Sequence, residues 1–162
     1  MRMSRVIVLG SAFASALAVA GPLNAEVPRY GGTYCIPILG DQSKIERTAQ
    51  FGVHNVSAST ATVECPFHVP GSSAKINSAS VTIYNRSPTV SFTCTLFGLT
   101  QDGNILWQST VSNSTPMAGS QQLNFFTSPS VTINQLNMQC TIPPIASGNF
   151  SHVASYIANS TP

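Results

Sequence analysis

The sequence predicts an all-β protein: one antiparallel sandwich of about eight or nine short strands, braced by two disulfides. Three observations carry that prediction. Apolar residues recur two apart over short segments, as at Val90, Phe92, Cys94 and Leu96 with Ser91, Thr93 and Thr95 between them. This is the period of a half-buried strand. Turn residues break these segments at steady intervals. No segment sustains a helical apolar period, and the chain carries four cysteines.

Residues 1–25 stand apart from the domain. Arg2 and Arg5 precede an uncharged apolar run over residues 6–20, Gly21 and Pro22 break it, and Ala25 ends it on a small residue. That order reads as a secretory signal peptide. The run is shorter than the ~20 apolar residues that span a bilayer, so no membrane insertion is expected after its removal. Ala25 is the favoured cleavage point, and Ala18 and Ala20 offer an earlier one. No cysteine follows the run, which argues against a lipoprotein. The domain is then residues 26–162.

Along that domain, residues 26–32 read as a loop-like lead. Residues 34–39 are extended, and Pro37 makes them an edge or irregular strand. Residues 40–47 are the most polar and hold at most one helical turn. Residues 48–56 read as one strand, with Phe51 and Val53 alternating. Ala61, Val63 and Cys65 share a face before Pro66, and residues 69–73 form a turn. Val81 and Ile83 then alternate with Thr82 and Tyr84. Residues 90–97 and 105–111 make a hairpin about Thr100, Asp102 and Gly103, where glycine can take a positive φ. Because it holds Cys94 and the only tryptophan, Trp107, this hairpin is taken as the centre of the fold. A polar loop over 112–120, a strand over 122–127 and a turn at Ser128 and Pro129 follow. In residues 131–142, Val131 and Ile133 have one parity while Leu136, Met138, Cys140 and Ile142 have the other. A β-bulge near Asn134 and Gln135 reconciles them. Pro143 and Pro144 end that strand, and residues 150–158 close the sheet.

Charge excludes some partners. Without Arg2 and Arg5, five bases (Arg29, Lys44, Arg47, Lys75, Arg86) balance five acids (Glu26, Asp41, Glu46, Glu64, Asp102). Nucleic acids and anionic lipids call for clustered Lys and Arg, so neither partner is expected. Ser, Thr, Asn and Gln stand where charges usually do, which suits exposed strand faces.

Four cysteines in an exported chain predict two disulfides, and spacing alone leaves three pairings open. Cys94 and Cys140 both lie on the apolar parity of long strands. Cys35 lies in the lead, and Cys65 closes a strand. Side-chain direction therefore favours Cys35–Cys65 and Cys94–Cys140. No CxxC pair occurs, which argues against a redox motif or zinc knuckle. The order Cys94, Trp107, Cys140 resembles immunoglobulin domains, although Met138 stands where that family places its corner tyrosine. The sandwich is accordingly expected to be immunoglobulin-like or jelly-roll-like. Cys35-x-Pro37, Gly52-Val53-His54-Asn55, Val63-Glu64-Cys65-Pro66, Val81-x-Ile83-Tyr84-x-Arg86, Phe92-x-Cys94-x-Leu96 and Ser155-Tyr156 together resemble a group of small exported bacterial proteins. The resemblance covers most of the mature chain. It implies a bacterial, exported, two-disulfide protein and supplies no activity or site residues.

No catalytic signature emerges. His54, His68 and His152 lack the close spacing of a metal site and read as unrelated surface or hydrogen-bonded histidines, so no metal or cofactor is expected. The Gly-x-Ser-x-Gly context of an exposed nucleophile is missing, and nothing places two of Asp41, Glu46, Glu64 and Asp102 together. Trp107 shares parity with Ile105 and Val111, which assigns it to the core against the disulfide rather than to sugar stacking. Tyr84 and Arg86 point away from the core and are the binding candidates. Asn55, Asn85, Asn113, Asn149 and Asn159 each begin an Asn-x-Ser/Thr sequon, which matters only in a eukaryotic source. The expected function is an exported, non-enzymatic binding or surface-interaction module that meets a glycan or protein surface through neutral contacts. The alternative is a pilin-like subunit assembling through edge strands, and the third a hydrolase without a recognisable motif.

Overall fold

The computed structural model describes residues 29–69, 74–113, 119–128 and 130–161. The signal-peptide assignment, and the loop stretches expected at 70–73 and 114–118, lie outside them. Within them the chain is a sandwich of two antiparallel sheets. Twelve strands occur: β1 (Arg29–Gly31), β2 (Ile36–Pro37), β3 (Ile45–Thr48), β4 (Gly52–Asn55), β5 (Ala61–Phe67), β6 (Ala74–Tyr84), β7 (Phe92–Leu99), β8 (Ile105–Asn113), β9 (Gln121–Phe125), β10 (Thr132–Ile133), β11 (Gln135–Ile142) and β12 (His152–Thr161). The first sheet runs β10-β6-β12-β4-β3, with β1 on β12 and β9 on β6; the second runs β2-β5-β11-β7-β8. Strands β1, β2 and β10 have three residues or fewer; β2 falls in the edge strand expected over 34–39 and β10 in the strand expected over 131–142, while β1 is too short to show in periodicity.

Alternation sets the core. Val81 and Ile83 on β6, Phe92, Cys94 and Leu96 on β7, Met138, Cys140 and Ile142 on β11, and Val153 and Tyr156 on β12 are all buried between the sheets. Ser and Thr occupy the opposite faces. On the second sheet these residues satisfy one another across strands: Thr93 pairs with Ser112 at 3.0 Å and Thr95 with Thr110 at 2.9 Å.

Five expectations are corrected. The lead is not all loop, since β1 pairs with β12 in the register Arg29↔Ile157. Residues 48–56 are not one strand: β3 and β4 form a hairpin, and the chain reverses before Gly52, whose φ of +70° suits glycine. The change of parity near Asn134 is not a bulge. There β10 in the first sheet hands over to β11 in the second, so one strand-like segment serves both layers. The β7–β8 hairpin is not the centre, since β8 is an edge, while β11 and β12 occupy central positions. Trp107 does pack on the core, but it sits across from Gly98, where a Cβ would collide with its indole; Val111 is the residue opposite Cys94.

Both disulfides pair as side-chain direction indicated, Cys35–Cys65 and Cys94–Cys140. Cys94 and Cys140 face each other on neighbouring strands of one sheet. This differs from the inter-sheet bond of immunoglobulin domains. Two disulfides fit a chain that folds in an oxidising compartment. Among the described residues no helix is long and apolar enough to cross a membrane.

Candidate functional site

Two places on the first sheet gather chemistry. The first is a row across four strands, in register Glu46↔His54, His54↔His152 and His152↔Tyr84. His54 and His152 are therefore neighbours, not the unrelated residues their sequence spacing suggested, whereas His68 lies apart from them at the end of β5. The two neighbours are 3% and 7% exposed. Phe150 lies against His54 at 4.9 Å between ring centroids, and Phe51 packs edge-on to both histidines. Tyr84 points outward, as its parity requires, and stacks on His152 at 4.3 Å, with the Arg86 guanidinium 5.7 Å from its ring centre. Tyr84 and Arg86 are thus brought together, and one face of the Tyr84 ring is already occupied. Nδ1 of each histidine is buried without a hydrogen-bond partner. No group of three or more metal-ligating side chains occurs among the described residues.

This row has an acid dependence. Burial, reinforced by the positive potential of His54 and Arg86, pushes His152 down to about 4, against a hydrogen bond with the Phe150 backbone. The unfolded chain, with histidine near its ordinary 6.5, takes up the proton first. Stability from His152 is complete above that value and is lost as pH falls toward 4, by about 3 kcal/mol. Asp41, held below the usual carboxylate range by the Lys44 ammonium and the Thr62 backbone N–H, acts in the same sense but only at lower pH. Urea unfolding midpoints measured across that window should slope for the wild type and flatten for His152→Phe; equal slopes would refute the assignment.

The second place is a concavity of about 310 Å³ on the outer face of β6, β9 and β12. The bulge in β12 between Val153 and Ser155 keeps Ser155, Ile157 and Asn159 on that face opposite Thr82, Ser80 and Ser78. Strand β9 adds Gln122 and Asn124 by its alternation with buried Leu123 and Phe125. The Gln122 amide donates to Ser80 Oγ at 3.0 Å and to Asn124 Oδ1 at 3.1 Å, and Asn159 Nδ2 donates to Ser78 Oγ at 2.7 Å. These hydroxyls accept, which leaves their own O–H groups free to donate outward. Arg29 is the one charged side chain in the lining.

Arg29 also lines a second hollow, of about 530 Å³, at the seam where β1 meets the end of β5. Its walls are Tyr30, Tyr34, Phe67, Pro66 and His68. Tyr30 stacks on buried Tyr156 at 5.1 Å, Phe67 packs edge-on to both, and Tyr34 stands edge-on to Tyr30. Burial pushes the Tyr156 phenol up, and the phenol donates to the Pro66 carbonyl at 2.9 Å. Tyr34 is 65% exposed. Arg29 and Tyr30 fall in the loop-like lead and Tyr34 opens the short stretch 34–39, where no periodicity assigns their faces. The clue was the spacing: two tyrosines lie within six residues of Cys35, which must be tied to a strand.

The sequons divide by burial. Asn55 and Asn85 are buried and serve the fold, Asn55 Nδ2 donating to the carbonyls of Ser59, Ile142 and Pro143. Asn149 is exposed in the turn before β12.

No family model matches the chain, and no curated protein matches it. Solved structures similar to it include that of the infectious bursal disease virus Gx strain (TM-score 0.47, 10% identity, 83% of this chain and 31% of that chain). Another is the infectious bursal disease virus VP2 subviral particle (TM-score 0.46, 9% identity, 94% of this chain and 37% of that chain). A third is TmCBM61 in complex with β-1,4-galactotriose (TM-score 0.40, 7% identity, 85% of this chain and 90% of that chain). The chain spans about a third of the length of the two viral chains.

Proposed function

We propose that this protein is an exported, non-catalytic binding module that holds a neutral, hydroxyl-rich ligand on the outer face of its first sheet. One observation carries the reading: the concavity over β6, β9 and β12 is lined mostly by Ser, Thr, Asn and Gln, with Ala79, Phe125, Tyr156 and Ile157 between them and Arg29 as the one charge among the described residues. Such a lining offers paired donors and acceptors beside one guanidinium. It suits saccharide hydroxyls, and a single guanidinium falls short of the clustered Lys and Arg that a polyanion such as nucleic acid calls for.

Retention on a panel of neutral cell-wall and surface polysaccharides is the test, run at low salt and at about 1 M, where surface charge is screened within a few ångströms. Binding to at least one neutral polysaccharide is expected at both concentrations, and Gln122→Ala should weaken it. Loss of binding at moderate salt, or no retention on any member, would overturn the reading. Tyr84→Ala serves beside it: loss of binding through that variant would move the contact to the Tyr84 and Arg86 end of the same face.

A second reading rests on β8. This nine-residue strand is an edge of its sheet, with Ile105 58% and Leu106 43% exposed. An edge strand with exposed apolar residues at one end is a template for pairing with another chain. It would make the protein a subunit that assembles edge to edge. Concentration-dependent growth in light scattering that Leu106→Lys abolishes would support this second reading, and a monomer at all concentrations would end it.

A further inference from the structure

The two hollows described above are neighbours, and a third continues them. The aromatic seam shares Pro66, Phe67 and His68 with a concavity of about 310 Å³ that ends among Asn134, Gln135 and Asn137. Arg29 joins the seam to the polar concavity on the sheet face. The chain therefore presents one bent path: a hydroxyl and amide floor, an arginine at the bend over edge strand β1, an aromatic stretch, and a second amide-rich end.

We infer that this path is an extended site for a linear neutral oligosaccharide, with Tyr34 as the platform on which a sugar ring stacks where the ligand crosses the seam. The inference rests on the binding reading above and names the ligand's form. Three features favour it. Tyr34 is the most exposed ring of its cluster, yet the backbone turn that carries it is held in place. The 3₁₀ turn Gly32–Tyr34 that carries it is tied by the adjacent Cys35–Cys65 bond to the β5 end that forms the opposite wall. On its other side the turn lies close over β12, so that a Cβ at Gly32 would overlap the Val153 carbonyl. A ring on a turn fixed before the ligand arrives loses less conformational freedom on binding. Secondly, the amides are placed beyond the aromatic stretch as well as before it. Asn137 Nδ2 at the far end donates to the Glu64 carboxylate. A ligand that has hydroxyls along its whole length, and apolar ring faces between them, fits this order of surfaces. Thirdly, the path crosses side-chain faces rather than following an unpaired backbone edge, which is the surface an extended peptide would use.

Titration calorimetry with wild type and Tyr34→Ala tests it. The ligands are di-, tetra- and hexasaccharides of the neutral polysaccharide retained best in the panel above, with an uncharged Ser/Thr/Asn decapeptide alongside. Affinity is expected to rise from di- to hexasaccharide in the wild type. Tyr34→Ala should reduce hexasaccharide affinity about two- to ten-fold and leave the disaccharide nearly unchanged, since a stacked ring contributes about 0.5–1.5 kcal/mol. Tyr34 is exposed, so the melting temperature should not move. Equal affinity for all lengths, or a hexasaccharide indifferent to Tyr34→Ala, would overturn the extended site while leaving the polar concavity standing. Tighter binding of the decapeptide than of the hexasaccharide would also overturn it. The absence of any polysaccharide binding would remove the reading beneath it.

Discussion

Replacing Cys94 and Cys140 together by alanine should lower the unfolding free energy by about 4 kcal/mol. The bond joins positions 46 residues apart, and both cysteines are fully buried. In the loop-entropy account, cutting it frees a long closed loop in the unfolded chain while β7 and β11 stay hydrogen-bonded neighbours in the folded one. Truncation to alanine also thins the centre of the core, which adds to the loss. For a domain whose total stability is commonly ~5–15 kcal/mol this is a large share. Guanidinium midpoints of the two proteins, both with Cys35–Cys65 intact, measure the difference. A loss below about 1 kcal/mol would mean that the paired strands already impose the constraint that the bond was credited with.

Gly52→Ala should cost about 3 kcal/mol or more. Gly52 opens β4 at φ +70°, where an L side chain meets about 1–2 kcal/mol of backbone strain. A Cβ there would also press on the Val153 carbonyl and come within 3.2 Å of the Gly32 Cα. These atoms are backbone, so the overlap is relieved only by moving β12 or the 3₁₀ turn, at a further ~1–3 kcal/mol. A melting temperature lower by about 10 °C is the expected result for a chain of this size. A variant that melted within about 2 °C of the wild type would show that the three segments separate freely, and that the turn carrying Tyr34 is not held as described.

The long strands were legible because alternation over seven or more residues has one physical meaning in a sandwich. Ala61, Val63 and Cys65, or Met138, Cys140 and Ile142, can only face the interior together. The same logic fixed both disulfides, since a side chain's direction follows from its parity. Short strands gave no such signal: Arg29–Gly31 pairs through its backbone with β12, and that pairing is set by tertiary context. The parity change at Asn134 was visible, but a bulge and a change of sheet produce the same pattern along one chain. Only the partners, Lys75 for Thr132 and Leu99 for Gln135, tell them apart. Tyr84 and Arg86 could be placed on the outer face by counting, whereas the stacking of Tyr84 on His152 depends on strand register between segments some seventy residues apart. The seam around Tyr34 was hidden for a related reason. It exists where an edge of one sheet meets the end of a strand in the other, and no local pattern encodes such a meeting.

The handover at Asn134 has a bearing on how the molecule comes apart. Between Ile133 in one sheet and Gln135 in the other there is a single residue, and its amide is fastened to the Leu99 carbonyl at 2.9 Å. A hinge that short cannot let one sheet melt while its neighbour persists. Fraying of β11 pulls β10 off the end of β6, and loosening of β6 reaches β11 by the same route. The two layers are therefore expected to open as one cooperative unit, with the amides of β6, β7, β11 and β12 exchanging through a common event.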